Sequence, residues 1–170
     1  MDAFSQQQMA ERILEELKKT KERLHSVGEV KLTYQRVNVM EQPVIRTSRN
    51  IYETALKICD KELLDYKEQC WVILMNQAAK VLGYYLVGEG GLSSAPADIR
   101  VIFQAALLSS ATAIAIFHNH PTGCPNPSRQ DDELTLAVTK AGKFMEIPIV
   151  DHVIVTSENG YYSYADHGRL

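Results

Sequence analysis

Two histidines spaced one residue apart, His118 and His120, follow the apolar run 113–117. Because side chains alternate along an extended strand, these two imidazoles are expected to point to the same side. Asp131 lies in the first turn of the next predicted helix, from which its carboxylate can turn back toward them. Two imidazoles and one carboxylate leave a coordination position open for water, as in catalytic zinc sites. The spacing therefore predicts a catalytic metal site.

The loop between the histidines and the aspartate has the composition of a stiff connection. It contains three prolines and a glycine, which restrict the backbone before a metal binds: Pro121, Gly123, Pro125 and Pro127. Ser128 precedes the helix, where its hydroxyl can cap the helix, donate a hydrogen bond to an oxyanion, or do both. Asp131 can instead complete a capping box with Ser128, but its position in the first turn favours the metal.

A metal-activated water also needs a proton acceptor, and two glutamates are candidates. Glu68 directly precedes the continuous apolar run 70–75, and Glu89 lies in the glycine-rich stretch 88–91. A charged residue beside a strand is usually only solvated. The residues alone therefore do not choose between the two.

The rest of the chain alternates helical and extended patterns. Helices are predicted over 5–24, 50–59, 94–110 and 128–144, and strands over 30–40, 70–75, 81–87, 113–117, 147–155 and 161–164. The unbroken apolarity of 70–75 is typical of a strand covered on both faces. This alternation predicts an α/β (α+β) fold in which helices flank one mixed sheet.

We predict two parts, a helical extension over residues 1–28 and a main domain over 29–170. The first helix carries a narrow apolar stripe at three- and four-residue spacing, formed by Met9, Ile13, Leu14, Leu17 and Leu24. Such a stripe fits a helix packed on its own domain or an arm that pairs with a second copy. We expect packing within the chain, with a homodimer as the alternative.

Composition narrows the class of partner and compartment. The net charge of -3 gives no global positive field for nucleic acid. The three cysteines form no CxxC motif, which suits a reducing compartment. The polar start lacks a signal-peptide core, and no apolar run approaches the ~20 residues of a membrane span. A cytoplasmic protein is the expectation.

The string His118-x-His120-x7-Ser128-x2-Asp131 resembles the JAMM motif of the JAB/MPN metalloprotease superfamily. The longer run HNHPTGCPNPSRQDD, together with residues 151–155, is similar to its bacterial RadC branch. This similarity covers roughly residues 50–170.

The resemblance implies a JAB/MPN-like three-layer sandwich and a Zn²⁺ ion held by His118, His120 and Asp131. It also implies a general base at the start of an upstream strand, a position that Glu68 matches better than Glu89. The implied function is zinc-dependent hydrolysis of amide, isopeptide or peptide bonds in a peptide or protein substrate. The alternative is a weakly catalytic or non-catalytic interaction module, associated with DNA repair or mobile elements, whose metal is structural.

Two features depart from the RadC pattern. RadC proteins commonly carry a helix-hairpin-helix-like region at the N-terminus, and this chain has a short helix and a strand pattern instead, which argues against DNA binding. Cys124 stands where the family often has an acidic residue, and it is either a small loop residue or a thiol that reaches the zinc. His152 is expected to lie behind the ligands or to be structural.

Overall fold

The computed structural model describes residues 9, 11–18, 33–34, 42–60, 62–90, 97–158 and 160–170. The chain divides into two compact units, Met1–Thr33 and Tyr34–Leu170. In the first unit, residues 11–18 form helix α1. Its apolar stripe, where described, is between 52% and 61% exposed at Met9, Ile13, Leu14 and Leu17. Packing of this stripe within the chain, with pairing of two copies as the alternative, stays a prediction.

The second unit is a mixed sheet with helices packed against it. Its helices are α2 (Ser48–Ile58), α3 (Ile99–Leu108) and α4 (Arg129–Met145). Its strands are β1 (Gln69–Met75), β2 (Val81–Glu89), β3 (Ala113–Asn119), β4 (Ile149–Val155) and β5 (Tyr161–Ser163). The strand order is β2-β1-β3-β4-β5, with β3 and β4 parallel and the other neighbours antiparallel. The predicted sandwich around a mixed sheet is confirmed.

The two faces of the sheet belong to two separate hydrophobic cores. Alternate residues of β1 and β3, such as Val72 and Ile116, enter a core with α3 and α4. The residues between them, such as Ile73 and Phe117, enter a second core with α2. Burial of each such side chain stabilises the fold by about 1.5–3 kcal/mol. The continuous apolar run of β1 therefore reflects a strand covered on both faces, as predicted.

Several predicted element boundaries differ from those observed. Helix α3 starts at Ile99, because the Asp98 side chain accepts a hydrogen bond from the backbone N–H of Arg100 and caps the helix there; its predicted start at Ser94 lies outside the described residues. The prediction that Glu89 lies beyond the strand 81–87 is wrong, since β2 continues to pair with β1 as far as Glu89. The strand predicted over 30–40 lies almost entirely outside the described residues.

Among the described residues, no helix is both long enough and apolar enough to cross a membrane.

Candidate metal centre

The three predicted ligands come together at the end of β3. His118 lies in β3 and His120 directly follows it, while Asp131 lies in the first turn of α4. The Nε2 atoms of the two histidines are 3.0 Å apart. Oδ1 of Asp131 lies 3.1 Å from Nε2 of His118, and its Oδ2 lies 3.5 Å from Nε2 of His120. One potential ligand atom from each residue lies within 4.8 Å of the others, so this group could bind a metal ion.

The electrostatics of the group favour a cation between these side chains. Burial opposes the charge on Asp131, yet hydrogen bonds from His118 and His120 outweigh it and hold the pKa of this carboxyl well below its usual range. Burial likewise opposes a charge on His120. Hydrogen bonds with Asp131 and the Cys124 carbonyl outweigh that effect and raise the pKa of His120. The lowered pKa of Asp131 and the raised pKa of His120 both indicate that the buried carboxylate is stabilised by a positively charged partner.

The outer hydrogen bond of His120 prepares its inner nitrogen for a metal. Its Nδ1 lies 2.7 Å from the carbonyl oxygen of Cys124. A carbonyl can only accept, so Nδ1 donates to it, and Nε2 is the nitrogen that faces Asp131 and, in the neutral ring, offers its lone pair to a metal. This arrangement is the one that metal-binding histidines use, and the donor set of two imidazoles and one carboxylate suits divalent transition metals.

The position of Asp131 is compatible with both of the roles considered for it. Its Oδ2 accepts a hydrogen bond from the backbone N–H of Ser128 at 2.6 Å, and its own N–H donates to the Ser128 hydroxyl at 3.2 Å. This reciprocal pair is a capping box at the start of α4. Since Oδ1 remains directed at the histidines, the capping box orients the carboxylate and does not compete with metal binding.

Comparison with known proteins assigns this arrangement to a family. Residues 45–169 match the family described as the RadC-like JAB domain. The chain belongs to the RadC-like JAB domain family. The matched range includes the whole sheet and all three converging side chains.

This RadC-like JAB domain is similar to the UPF0758 proteins of several bacteria. It is 39% identical to that of Porphyromonas gingivalis over 104 residues, which is 61% of this chain and 46% of the relative. It is 38% identical to that of Salinibacter ruber over 121 residues, which is 71% of this chain and 49% of the relative. The chain spans about half the length of the curated relatives it matches.

Within the RadC-like JAB domain, the two candidate glutamates have different surroundings. The carboxylate of Glu89 accepts hydrogen bonds from Nζ of Lys67 at 2.8 Å and from Nε2 of Gln69 at 2.7 Å. These bonds, led by that from Lys67, lower the pKa of Glu89. The carboxylate of Glu89 is therefore already hydrogen-bonded to Lys67 and Gln69.

The charge of Glu68 acts on the metal-site side of the sheet. Cys70 pairs with His118 across β1 and β3, so their side chains share a face, and Glu68 precedes Cys70 by two positions. Burial raises the pKa of the Cys70 thiol to about 12, and the charges of Glu68 and Asp131 add to this effect. Glu68 also contributes to the raised pKa of His120. The charges of Glu68 and Asp131 therefore both raise pKa values in this region.

Asn119, between the two histidines, has a structural role beside the candidate site that sequence reasoning missed. The alternation of β3 turns its side chain to the opposite face, where it is 1% exposed. Its Oδ1 accepts from the backbone N–H of Gln69 at 2.8 Å, and its Nδ2 donates to the carbonyls of Leu64 and Lys67 at 2.8 and 2.7 Å. The segment that bears Glu68 is thus fastened to the strand that bears the histidines.

Replacing Asn119 by Ala is expected to lower the free energy of unfolding by at least about 1–3 kcal/mol, since buried main-chain groups of residues 64–69 lose their partner. Chemical denaturation would measure this, with Asn126→Ala as the control because Asn126 is an exposed asparagine of the loop. Equal stability of the two variants would contradict a fastening role for Asn119.

The two cysteines near this region are not part of the converging group among the described residues. Cys124 is exposed and holds His120 through its carbonyl oxygen, so its contribution comes from the backbone. Cys70 is buried beneath the site with a raised pKa, which keeps it a neutral thiol. The hypothesis that the Cys124 thiol reaches a bound zinc stays a prediction that this arrangement does not support.

Proposed function

We propose that this RadC-like JAB domain is a zinc-dependent hydrolase of amide or isopeptide bonds. The observation that supports it is the convergence of His118, His120 and Asp131, three ligands that leave a coordination position open. A zinc ion held there would supply Lewis acidity, which would polarise a carbonyl and lower the pKa of a bound water. A single metal with a protein-derived base suits acyl transfer better than the two-metal arrangement common in nucleases.

Glu68 is the proposed general base. It accepts a proton from the attacking water and returns that proton to the leaving nitrogen, so that the amine departs in neutral form. The action of its charge on His120 and Cys70 supports this role. Glu89 is the weaker candidate, because Lys67 and Gln69 already occupy its carboxylate.

Ser128 is the proposed donor to the oxyanion that develops on the substrate carbonyl. Its oxygen accepts the N–H of Asp131 through a lone pair, which leaves the hydroxyl proton available for donation. The Ser128 side chain can therefore cap α4 and stabilise negative charge at the same time.

The proposed substrate is a peptide or protein, and the proposed compartment is the cytoplasm. All three cysteines are free, which supports a reducing environment. The net charge of -3 gives no support to a nucleic-acid substrate.

Metal analysis of the purified protein tests the site on which this function depends. The wild-type chain is expected to retain zinc after dialysis, whereas His118→Ala loses it, because one of three ligands is gone. His167→Ala is the matched control, since His167 hydrogen-bonds the carbonyl of Ser163 and not the metal group. Equally low zinc in the wild type and in His118→Ala would refute the proposal.

A further inference from the structure

A buried chain of hydrogen bonds lies behind His118. Nδ1 of His118 is 2.8 Å from Nε2 of His152, and Nδ1 of His152 is 2.7 Å from the Thr135 hydroxyl. That hydroxyl donates to the main-chain carbonyl of Asp131 at 2.6 Å. None of the four residues is more than 7% exposed. The chain therefore starts at one metal ligand and ends at the backbone of another.

The fixed end of this chain determines where each proton lies. The Asp131 carbonyl can only accept, so the Thr135 hydroxyl gives it its proton and accepts one from Nδ1 of His152. His152 is fully buried and its two ring nitrogens face His118 and Thr135, so the neutral ring is the favoured form and its Nε2 is an acceptor. The proton between the two rings consequently belongs to Nδ1 of His118.

We propose that Thr135 and His152 are positioning residues that lock His118 in the Nδ1–H tautomer, with the Nε2 lone pair directed at the metal. The inference rests on the metal site of the proposed function. A histidine protonated on Nε2 cannot bind a metal through that atom. The relay removes this unproductive form before any metal arrives.

The surroundings of His152 hold its ring in the orientation that the relay needs. Its ring stacks on that of Tyr164, with centroids 5.0 Å apart and planes at 6°. The Tyr164 hydroxyl in turn donates to Oδ1 of Asp132 in the first turn of α4 at 2.8 Å. β4 lies parallel to β3, and His152 pairs with Ile116, two residues before His118. Stacking and strand pairing therefore fix both the plane and the height of the ring.

A matched pair of substitutions at Thr135 separates the hydroxyl from the packing. Thr135→Val keeps the shape but removes the group that fixes the His152 tautomer, whereas Thr135→Ser keeps the hydroxyl. With zinc alone as the probe, in competition with a chromogenic chelator, Thr135→Val is expected to weaken zinc binding about 10–100-fold. Thr135→Ser is expected to bind like the wild type. Equal affinities of all three proteins would overturn the proposal.

Nitrogen-15 chemical shifts of the histidines in the metal-free protein provide a readout that needs neither metal nor activity. In the wild type and in Thr135→Ser, Nδ1 of His118 and Nδ1 of His152 are both expected to carry a proton, and Thr135→Val is expected to show partial loss of the proton on Nδ1 of His118. Wild-type His118 in the Nε2–H form would overturn the relay even if zinc binds. The expected tautomers in a protein that hydrolyses nothing would support the relay while the hydrolase proposal fails.

A second pair of variants at His152 covers the case in which Thr135→Val does not fold. The amide oxygen of Gln can stand where Nε2 of His152 stands, so His152→Gln is expected to bind zinc more tightly than His152→Leu. Weaker or equal binding by His152→Gln would count against the relay, because both variants lose the aromatic stack on Tyr164 and differ mainly in the acceptor.

Discussion

Replacement of Glu68 by Gln is expected to lower the rate of amide hydrolysis by roughly 10²–10⁴-fold, the usual contribution of a positioned acid–base group. Glutamine has almost the same size as glutamate and still forms hydrogen bonds, but it does not accept the proton of the attacking water. Zinc content should remain at the wild-type level, because Glu68 is not one of the three converging ligands. Turnover of a fluorogenic peptide or isopeptide by zinc-loaded protein, with zinc measured on the same sample, checks both expectations.

Glu89→Gln is the matched control for this experiment. The carboxylate of Glu89 is held by Lys67 and Gln69, so its loss should leave the rate close to that of the wild type. A larger loss in Glu89→Gln than in Glu68→Gln would reverse the assignment of the base. A wild-type chain that holds zinc and hydrolyses none of the substrates would instead favour the interaction module with a structural metal.

Replacement of Asp131 by Ala is expected to abolish zinc binding and to destabilise the domain as well. Loss of the capping box at α4 lowers the free energy of unfolding by about 0.5–2 kcal/mol. The stabilisation that zinc gives to the folded state, about 2.7 kcal/mol when free zinc is 100 times its dissociation constant, disappears with the ligand. Unfolding followed with and without a chelator measures the two contributions separately.

Ser128→Ala isolates the capping contribution from the metal contribution. It removes the hydroxyl that accepts the Asp131 N–H but keeps all three converging ligands. We expect a similar capping loss, with zinc retained and with the chelator still lowering stability. A chelator effect of wild-type size in Asp131→Ala would show that this carboxylate is not a ligand.

The convergence of His118, His120 and Asp131 could be predicted from the sequence because local rules position these residues. Side-chain alternation alone brings His118 and His120 to one face of β3, and helix-start chemistry fixes the position of Asp131. Burial of β1 on both faces could also be predicted, since a strand between two helical layers must be apolar throughout. These features depend on neighbours only a few residues away in the chain.

The surroundings of the metal group depend on contacts distant in sequence, and these could not be predicted. The sequence does not distinguish Glu68 from Glu89 as the base. The difference arises from the pairing of β1 with β2, which brings Lys67 and Gln69 to Glu89. Asn119 meets partners 50 to 55 residues away, and Thr135 meets His152 across 17 residues. A polar residue next to a motif is the one local signal that could have indicated Asn119.

The position of Asn119 between the two histidines also bears on how this centre moves. Asn119 holds the segment that bears Glu68, and it is the direct neighbour in sequence of both His118 and His120. Fluctuations that bend or shift the end of β3 are therefore expected to carry both groups together, so the distance between the proposed base and the candidate metal site should change little when the rest of the sheet moves. We expect the centre to move as one small rigid body, even where the flanking helices shift.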